Sequence, residues 1–316
     1  MAYPCFTKTY RKTSYAAIDP ARPALSAENK TVIVTGAGHG SIGSTVALAF
    51  AKAGARKLAL VGRTQSTLQK TKETIAQTYP EATVLVSVAD ISKAESVGTA
   101  AHHIRVELGA WDVFANCAGY GQQIRESLQC YEADLLPHRY LPALTSIAGA
   151  DEDEWWKAFE IHAKFATHFA KHFLPKCRPN AAYINTNAAS CHLPASHFPK
   201  TSAYLASKLA MAKLDEYLAE ESPQLRVFTV HPGVVQTKMV EKVMGGLDRV
   251  PAGDFLDEPE LPANFMVWLA SGEGDFLKSG RYLWANWDVE ELIARKAEIQ
   301  ADPSLFRITI GGWPFQ

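Results

Sequence analysis

The sequence predicts an α/β protein built on a doubly wound parallel sheet. Short, continuous runs of apolar and β-branched residues recur along the chain, as expected for strands that are buried on both faces of a parallel sheet. Segments with helical periodicity separate these runs, and a glycine-rich turn follows the first of them. Alternation this regular favours right-handed crossovers, which place helices on both faces of one sheet.

Strands and helices are predicted to alternate from residue 31 onward. The predicted strands are Thr31–Thr35, Lys57–Val61, Thr83–Val88, Trp111–Ala115, the run that ends at Asn185, Leu225–Val230 and Arg281–Ala285. The predicted helices are Ile42–Lys52, Gln65–Thr78, Ser92–Leu108, a long helix that opens at Asp151, the helix that carries Tyr204 and ends at Glu221, Leu261–Ser271 and Asp288–Gln300. The four consecutive acidic residues at 151–154 complement the dipole at the start of the fourth helix.

The chain is predicted to form a single domain over 31–316, which includes a C-terminal extension over 286–316. Residues 1–30 are rich in Pro, Ala, Ser and Thr, so we expect an extended arm that lies on the globule or is partly disordered. Residues 121–145 are interpreted as an insertion that either roofs a ligand pocket or forms a surface excursion or subunit contact. Residues 238–258, which are polar and contain glycines, suit a mobile lid.

Composition excludes several classes of protein. The chain has 316 residues, of which 47% are apolar and 21% charged, and its formal net charge of −1 gives no reason to expect nucleic acid or an acidic membrane surface as a partner. No apolar run is long enough to span a bilayer, and the first residues lack the apolar core of a secretory signal. The five cysteines are odd in number and widely spaced, which predicts reduced thiols in the cytoplasm. His168 and His172 are spaced i, i+4 but lack a third ligand, so no metal site is expected.

The glycine-rich turn after the first strand is typical of a pyrophosphate site. Glycine lets the backbone turn sharply and approach a ligand closely, and the helix that follows points its free N–H groups at that ligand. Two registers fit the spacing: Gly38, Gly40 and Gly43, or Gly36, Gly40 and Gly43. Ser41 and Ile42, at the start of the helix, are further candidates for cofactor binding.

The residues after the second strand bear on which dinucleotide the glycine turn would bind. In an NAD site, an acidic residue about 20 positions past the glycines binds the ribose 2′-hydroxyl. Here the strand is followed by Arg63 and Thr64, with no acid. A cation and a hydroxyl suit a 2′-phosphate, so NADP(H) is favoured over NAD(H). The alternative is a solvated arginine after a strand.

The next two strands end in further cofactor candidates. Asp90 lies at a strand end, where its carboxylate either accepts a hydrogen bond from the adenine amino group or caps the next helix, and Ile91 follows it. Asn116, Ala118 and Gly119 follow the fourth strand, where small residues let a cofactor ribose pack on the backbone. Because ligands of such sheets bind at the carboxyl ends of the strands, these residues are expected to share one site.

Tyr204 and Lys208 are the predicted catalytic pair. Their spacing of four residues places a phenol and an ammonium on one helical face. A nearby ammonium favours phenolate, so we expect Lys208 to lower the pKa of Tyr204 and make it a usable proton donor or acceptor. Taken alone the pair is a weak signal, because most such pairs lie on solvated helix faces.

With these motifs in order, the chain resembles the short-chain dehydrogenase/reductases over roughly residues 30 to 285. The matching motifs are the Thr35–Gly43 loop, Asp90, Asn116–Gly119, the pair Tyr204 and Lys208, and His231-Pro232-Gly233 with Thr237. The resemblance implies a Rossmann-type sheet, and contacts from Pro232, Gly233, Val235 and Thr237 to the nicotinamide. It also implies a homodimer or homotetramer assembled through the helices that bear His162 and Tyr204. The arm and tail look most like those of fungal members, many of them in secondary metabolism.

Two positions depart from the Asn, Ser, Tyr and Lys set that the resemblance implies. The Asn position is His162 and the Ser position is Ala188. Ser190, two residues further on, is the candidate replacement for the serine hydroxyl, and Asn187 and Thr186 are weaker candidates. His162 is expected to relay protons, since imidazole carries protons near neutral pH.

Three functions are consistent with these features. The first is an NADP-dependent carbonyl reductase or alcohol dehydrogenase that acts on a small, fairly apolar metabolite. The second is a redox-neutral step on the same fold, such as isomerisation, dehydration or cyclisation, because Ala188 and His162 replace the usual side chains. The third is an NADP-binding module without catalysis.

Overall fold

The computed structural model describes residues 5–119, 145–237 and 256–310. Within these ranges seven parallel strands form one sheet, in the order β3-β2-β1-β4-β5-β6-β7. The strands are Thr31–Thr35 (β1), Lys57–Gly62 (β2), Thr83–Val88 (β3), Trp111–Asn116 (β4), Cys177–Thr186 (β5), Arg226–His231 (β6) and Arg281–Trp284 (β7). The strand order reverses between β1 and β4, which is where such sheets bind ligands. The predicted doubly wound α/β fold is confirmed.

Helices connect the strands, with ends close to those predicted. They are Ile42–Lys52 (α1), Gln65–Thr78 (α2), Ala94–Leu108 (α3), Glu152–His162 (α4), Phe165–His172 (α5), Ser202–Glu221 (α6), Glu260–Ser271 (α7), Val289–Ala294 (α8) and Lys296–Ala301 (α9). The long helix predicted from Asp151 is interrupted after His162, because the amides of Ala163 and Lys164 both bond to the carbonyl of Phe159. The predicted closing helix is likewise divided, at Arg295.

The core explains why the strand runs are apolar without alternation. All five residues of β1 are buried. Val32 and Val34 point into the layer that contains Phe50 of α1, whereas Ile33 points into the opposite layer with Phe169 of α5. Because both faces are covered by helices, every position of the strand is selected to be apolar or small.

Residues 5–30 of the predicted arm lie on the globule. Two short 3₁₀ turns, Ala16–Ile18 and Pro23–Leu25, bury Ile18 and Leu25. The predicted insertion and lid lie almost wholly outside the described residues, which omit 120–144 and 238–255. No helix within the described ranges combines the length and apolarity that crossing a membrane requires.

Candidate functional site

A buried network joins the carboxyl ends of four strands. The hydroxyl of Thr35 donates to Asn116 Oδ1 at 2.5 Å, and Asn116 Nδ2 donates to Asn185 Oδ1 at 2.9 Å. Asn185 Nδ2 then donates to the Asp215 carboxylate at 3.0 Å, which also accepts the hydroxyl of Thr229 at 2.7 Å. The network holds the ends of β1, β4, β5 and β6 in register beneath the site.

Gly36 and Gly43 let the turn after β1 pack against the start of α1. Gly36 has φ +66°, and a Cβ there would lie 2.6 Å from the carbonyl oxygen of Cys117. A Cβ on Gly43 would lie 2.5 Å from the carbonyl oxygen of Gly36. At Gly38, by contrast, a Cβ would meet only the side chain of Thr67. This geometry favours the register that begins at Gly36, and the backbone cradle fits a pyrophosphate.

Ser41 fixes the start of α1 in front of that cradle. Its hydroxyl donates to the Gly36 carbonyl at 2.7 Å and accepts from the Ser44 amide at 3.1 Å, while the Ser44 hydroxyl accepts from the Ser41 amide. This reciprocal capping box makes the helix begin at Ile42. Gly40, with φ +78°, completes the turn just before the cap. The positive end of the helix dipole therefore faces the turn.

Arg63 and Thr64 follow β2 and are exposed at the same edge of the sheet. Asp90 lies near Arg63 and accepts two hydrogen bonds from Ser92, at 3.0 Å from its amide and 2.7 Å from its hydroxyl. Burial pushes the pKa of Asp90 upward, but these bonds and the Arg63 cation hold it below its ordinary value. Asp90 thus closes a turn before α3 and does not cap the helix. Because Ser92 belongs to this turn, the helix begins at Ala94, and the predicted start at Ser92 is wrong.

The segment after β4, Cys117 to Gly119, packs against the glycine turn that follows β1. The amide of Ala118 donates to the hydroxyl of Thr35 at 3.2 Å, and the carbonyl of Ile91 accepts from the buried ring of His168 at 3.0 Å. A Cβ on Gly119 would lie 3.9 Å from His162 Nε2. The cofactor candidates at this strand end and the imidazole of His162 therefore share one edge.

Burial sets the pKa values of the predicted catalytic pair. Lys208 is 3% exposed, and its ammonium donates to the Thr186 carbonyl at 2.8 Å. Burial lowers the pKa of Lys208 to about 8. Burial, and secondly Cys191, raises the pKa of Tyr204 above its ordinary value. Burial therefore outweighs any lowering of the Tyr204 pKa by the Lys208 charge, and the phenol is protonated at neutral pH. That Lys208 lowers this pKa stays a prediction.

His162 is buried against Tyr204. The two rings are 5.5 Å apart at 77°, and His162 Nδ1 lies 2.8 Å from the hydroxyl of Ser207. Because the Ser207 hydroxyl donates its proton to the Tyr204 carbonyl at 2.8 Å, it accepts from Nδ1–H and leaves the lone pair on Nε2. Burial, and secondly Lys208, holds the pKa of His162 well below its ordinary value, so the ring is neutral.

Ser190 lies in a 3₁₀ turn, Ala189–His192, and lines a cavity of about 430 Å³. Asn187, a weaker candidate for the serine role, uses its side chain to bond the backbone. Its Nδ2 donates to the Lys208 carbonyl at 2.9 Å, and its Oδ1 accepts from the Ala188 amide. The Thr186 hydroxyl lies 3.5 Å from the sulfur of Cys117. The cavity wall is otherwise largely apolar and includes Cys191, Leu193, Phe198, Lys200 and Leu205.

The segment after β6 lies across the site from the glycine turn. Burial lowers the pKa of His231 to about 3, and its neutral ring accepts from the Ala189 amide at 3.2 Å. Gly233 has φ +84° and lets Val234 approach the carboxylate of Asp257. This segment contains the predicted nicotinamide contacts Pro232, Gly233, Val235 and Thr237, of which all but Gly233 are buried.

A sequence model of the short chain dehydrogenase family matches residues 30–246. The chain belongs to the short-chain dehydrogenases. A short chain dehydrogenase/reductase of Claviceps purpurea is 31% identical over 309 residues, covering 96% of this chain and 93% of its own. The short chain dehydrogenase mpl6 of Monascus purpureus is 32% identical and covers 93% of this chain and 92% of its own. The expected resemblance to fungal members is confirmed.

Solved structures agree with this family's fold. The L-sorbose reductase of Gluconobacter frateurii, complexed with NADPH and L-sorbose, superposes with a TM-score of 0.68 at 22% identity, covering 83% of this chain and 96% of its own. An NADPH-bound short chain oxidoreductase of Pseudomonas aeruginosa, described as containing an atypical catalytic center, has a TM-score of 0.65 at 21% identity and covers 82% of this chain and 96% of its own. At such identity the likeness shows the fold alone.

Two buried carboxylates of this short-chain dehydrogenase, Asp215 and Asp257, are not among the site residues predicted from sequence. Asp215 lies seven residues after Lys208, a spacing that places both on one face of α6, so helical periodicity carried a usable signal. Burial raises the pKa of Asp215 to about 7, against the hydrogen bonds from Thr229 and Asn185 and the charge of Lys208. Asp257 had no such signal, because its partner Val234 lies 23 positions away.

Proposed function

We propose that this short-chain dehydrogenase is an NADP(H)-dependent carbonyl reductase or alcohol dehydrogenase for a small, fairly apolar metabolite of secondary metabolism. The observation that carries the proposal is the placement of Tyr204 and Lys208 on α6. Lys208 bonds to the end of β5, and the residue after Tyr204, Leu205, lines the cavity beside Ser190. A cavity of about 430 Å³ with a largely apolar wall suits an apolar substrate with one ring or two.

Each residue of the site has a distinct role in carbonyl reduction. The nicotinamide cofactor, when bound, supplies the hydride. Tyr204, whose raised pKa keeps it protonated, donates its proton to the carbonyl oxygen, and the charge of Lys208 stabilises the phenolate that is left. Ser190 orients the carbonyl oxygen from the cavity wall. His162, neutral and in contact with the Tyr204 ring, relays a proton toward it.

The pKa of Lys208 predicts how activity depends on pH. Its ammonium is present below about pH 8 and is lost as the pH rises through that value. We therefore expect kcat/KM for reduction to fall above about pH 8, because this ratio reports groups of the free enzyme. In Lys208→Arg, the charge persists to much higher pH, so the variant should be slower but lack this fall. Lys213→Arg, on the same helix but exposed, is the matched control.

A fall above pH 8 that survives unchanged in Lys208→Arg would show that another group is responsible. The measurement is a full pH profile of kcat/KM for NADPH, at saturating carbonyl substrate, in the wild type and both variants. Tyr204 does not account for the fall, since its pKa is raised and not lowered.

Arg63 is expected to set the preference for NADPH over NADH. Its side chain is exposed after β2 and its cation acts on Asp90 across the edge where the adenosine half would lie. Arg63→Ala should raise KM for NADPH about 10-fold and leave KM for NADH nearly unchanged, because a charged contact to the 2′-phosphate is lost. Arg56→Ala removes an arginine that is also exposed, at the other end of β2, and should change neither value. An unchanged KM for NADPH in Arg63→Ala would contradict the assignment of NADP.

His162 favours a second candidate function, a redox-neutral step such as isomerisation, dehydration or cyclisation. A neutral imidazole with its lone pair on Nε2, at the position of the family's Asn, can serve as a base. This function predicts that substrate is converted with no change in nicotinamide absorbance, and product mass distinguishes it from reduction. A module without catalysis has less support, because members of this family are oxidoreductases.

The assembly and location of the protein are also part of the proposal. We expect a homodimer or homotetramer built on α4 and α6, which carry the exposed aromatic residues Trp156 (56% exposed) and Tyr217 (57% exposed). Four cysteines in the described ranges are free thiols, in keeping with a cytoplasmic location. Sedimentation velocity of the wild type and of Trp156→Lys would test the assembly.

A further inference from the structure

The N-terminal arm is joined to the segment after β7 by paired hydrogen bonds. The amide of Arg11 donates to the carbonyl of Asn286 at 2.8 Å, and Asn286 Nδ2 donates back to the carbonyl of Arg11 at 2.8 Å. One residue further on, the carbonyl of Lys12 accepts from the amide of Glu258 at 2.8 Å. The arm thus lies against both Asn286 and Glu258, the residue after Asp257.

Asn286 links the arm to the buried carboxylate of Asp257. Its side chain is fully buried, and its second amide hydrogen is donated to Asp257 Oδ1 at 3.0 Å. Its Oδ1 has no hydrogen-bond partner among the described residues. If the amide oxygen and nitrogen were exchanged, the oxygen would face the Arg11 carbonyl and the Asp257 carboxylate, which both accept hydrogen bonds. The orientation of the amide is therefore determined by Arg11 and Asp257 together.

Asp257 in turn holds the segment after β6. Its Oδ2 accepts from the amide of Val234 at 2.6 Å, and its own amide donates to the carbonyl of Val234 at 2.8 Å. Asp257 also pairs with Val235 in a parallel bridge. The carboxylate is 5% exposed, and the absence of a side chain on Gly233 leaves the room that it occupies. The side chain and backbone of Asp257 together therefore hold Val234 and Val235, and the carboxylate itself bonds to the Val234 amide.

We propose that Asn286 and Asp257 are positioning residues that couple the N-terminal arm to the nicotinamide end of the cofactor site. The inference rests on the proposed function, since it takes Gly233–Thr237 to contact the nicotinamide. Hydrogen bonds link the arm to the Asn286 amide, the amide to the Asp257 carboxylate, and the carboxylate to the Val234 amide. The central bond is buried and the two outer bonds are partly buried, and each group determines the position of the next. A buried charge-assisted bond to a backbone amide is among the stronger ways to hold a loop.

The two halves of the cofactor would respond differently to a break in this chain. The adenine half is proposed to lie near Gly36 and Arg63, at the ends of β1 and β2. The nicotinamide half is proposed to lie near Val234, after β6. Loss of Asn286 should therefore weaken contacts to the nicotinamide and leave those to the adenosine and 2′-phosphate intact.

The test compares binding of NADPH and of adenosine 2′,5′-bisphosphate, which has only the adenine half, by calorimetry on the full chain. In Asn286→Ala, Kd for NADPH should rise about 10-fold while Kd for the bisphosphate stays within about twofold of the wild type, because only the hydrogen bonds that hold the segment are lost. The matched control is Glu291→Ala. Its carboxylate accepts from the amides of Lys8 and Thr9, so this variant loosens the arm only before Arg11. The bonds between Arg11 and Asn286 remain, and neither Kd should change.

Asp257→Asn provides a second variant of nearly the same shape. Its carboxamide can still accept from the Val234 amide, but it loses the bond from Asn286, so it should show the same selective effect if Asn286→Ala does not fold. Unchanged NADPH binding in the folded variants would overturn the coupling, and so would equal loss of both ligands, which indicates general unfolding. If the wild type itself binds neither ligand, the proposed function fails and not merely this inference.

Discussion

Tyr204→Phe is expected to lower kcat for carbonyl reduction by about 10³-fold, because the variant lacks the proton that the phenol donates to the substrate oxygen. The raised pKa keeps the Tyr204 hydroxyl protonated at neutral pH, so it carries the proton that the variant lacks. NADPH binding should stay within about twofold of the wild type, since the ring itself is retained. Single-turnover kinetics followed through nicotinamide absorbance separate the chemical step from binding.

Tyr217→Phe is the matched control for this prediction. Tyr217 lies on the same helix at a position proposed for the subunit contact and not for the active site, and the change retains its ring. Removal of its hydroxyl should therefore leave kcat unchanged. Hydride transfer at the wild-type rate in Tyr204→Phe would reject Tyr204 as the proton donor and with it the proposed function. Conversion of a substrate without oxidation of NADPH would instead support the redox-neutral function that His162 favours.

Gly36→Ala is expected to destabilise the fold by about 2 kcal/mol or more and to abolish NADPH binding. A residue with a side chain at φ +66° is strained by roughly 1–2 kcal/mol, and the new Cβ would lie 2.6 Å from the carbonyl oxygen of Cys117. Because Cys117 belongs to the backbone after β4, it cannot rotate away. The turn must shift, and the cradle in front of α1 is lost with it.

Gly38→Ala is the control, since a Cβ there meets only the Thr67 side chain, which can give way. We expect a change of less than about 1 kcal/mol in the free energy of unfolding and retention of NADPH binding. Urea unfolding and calorimetric titration measure the two quantities. If Gly38→Ala proved the more damaging, the register that begins at Gly38 would be the functional one, contrary to the geometry of the turn.

Local pattern was enough to predict the strands. Every predicted strand is present with ends that differ by about one residue, because burial on both faces of a parallel sheet demands continuous apolar runs. Helix ends were less predictable where side chains compete for the backbone. Ser92 was expected inside α3, yet its amide and hydroxyl bond to Asp90, and the carbonyl of Phe159 receives two amides and ends α4 early.

The sequence by itself determined the sheet, the glycine turn, the positions of Tyr204 and Lys208 and membership of the family, because these depend on periodicity and spacing within short segments. Only the tertiary structure decided the protonation of the site. The pKa values of Tyr204 and Lys208 are shifted chiefly by burial, which depends on strands and loops distant in the chain. The contact from Arg11 through Asn286 to Asp257 likewise spans most of the chain, and no local pattern encodes which distant polar groups will be buried together.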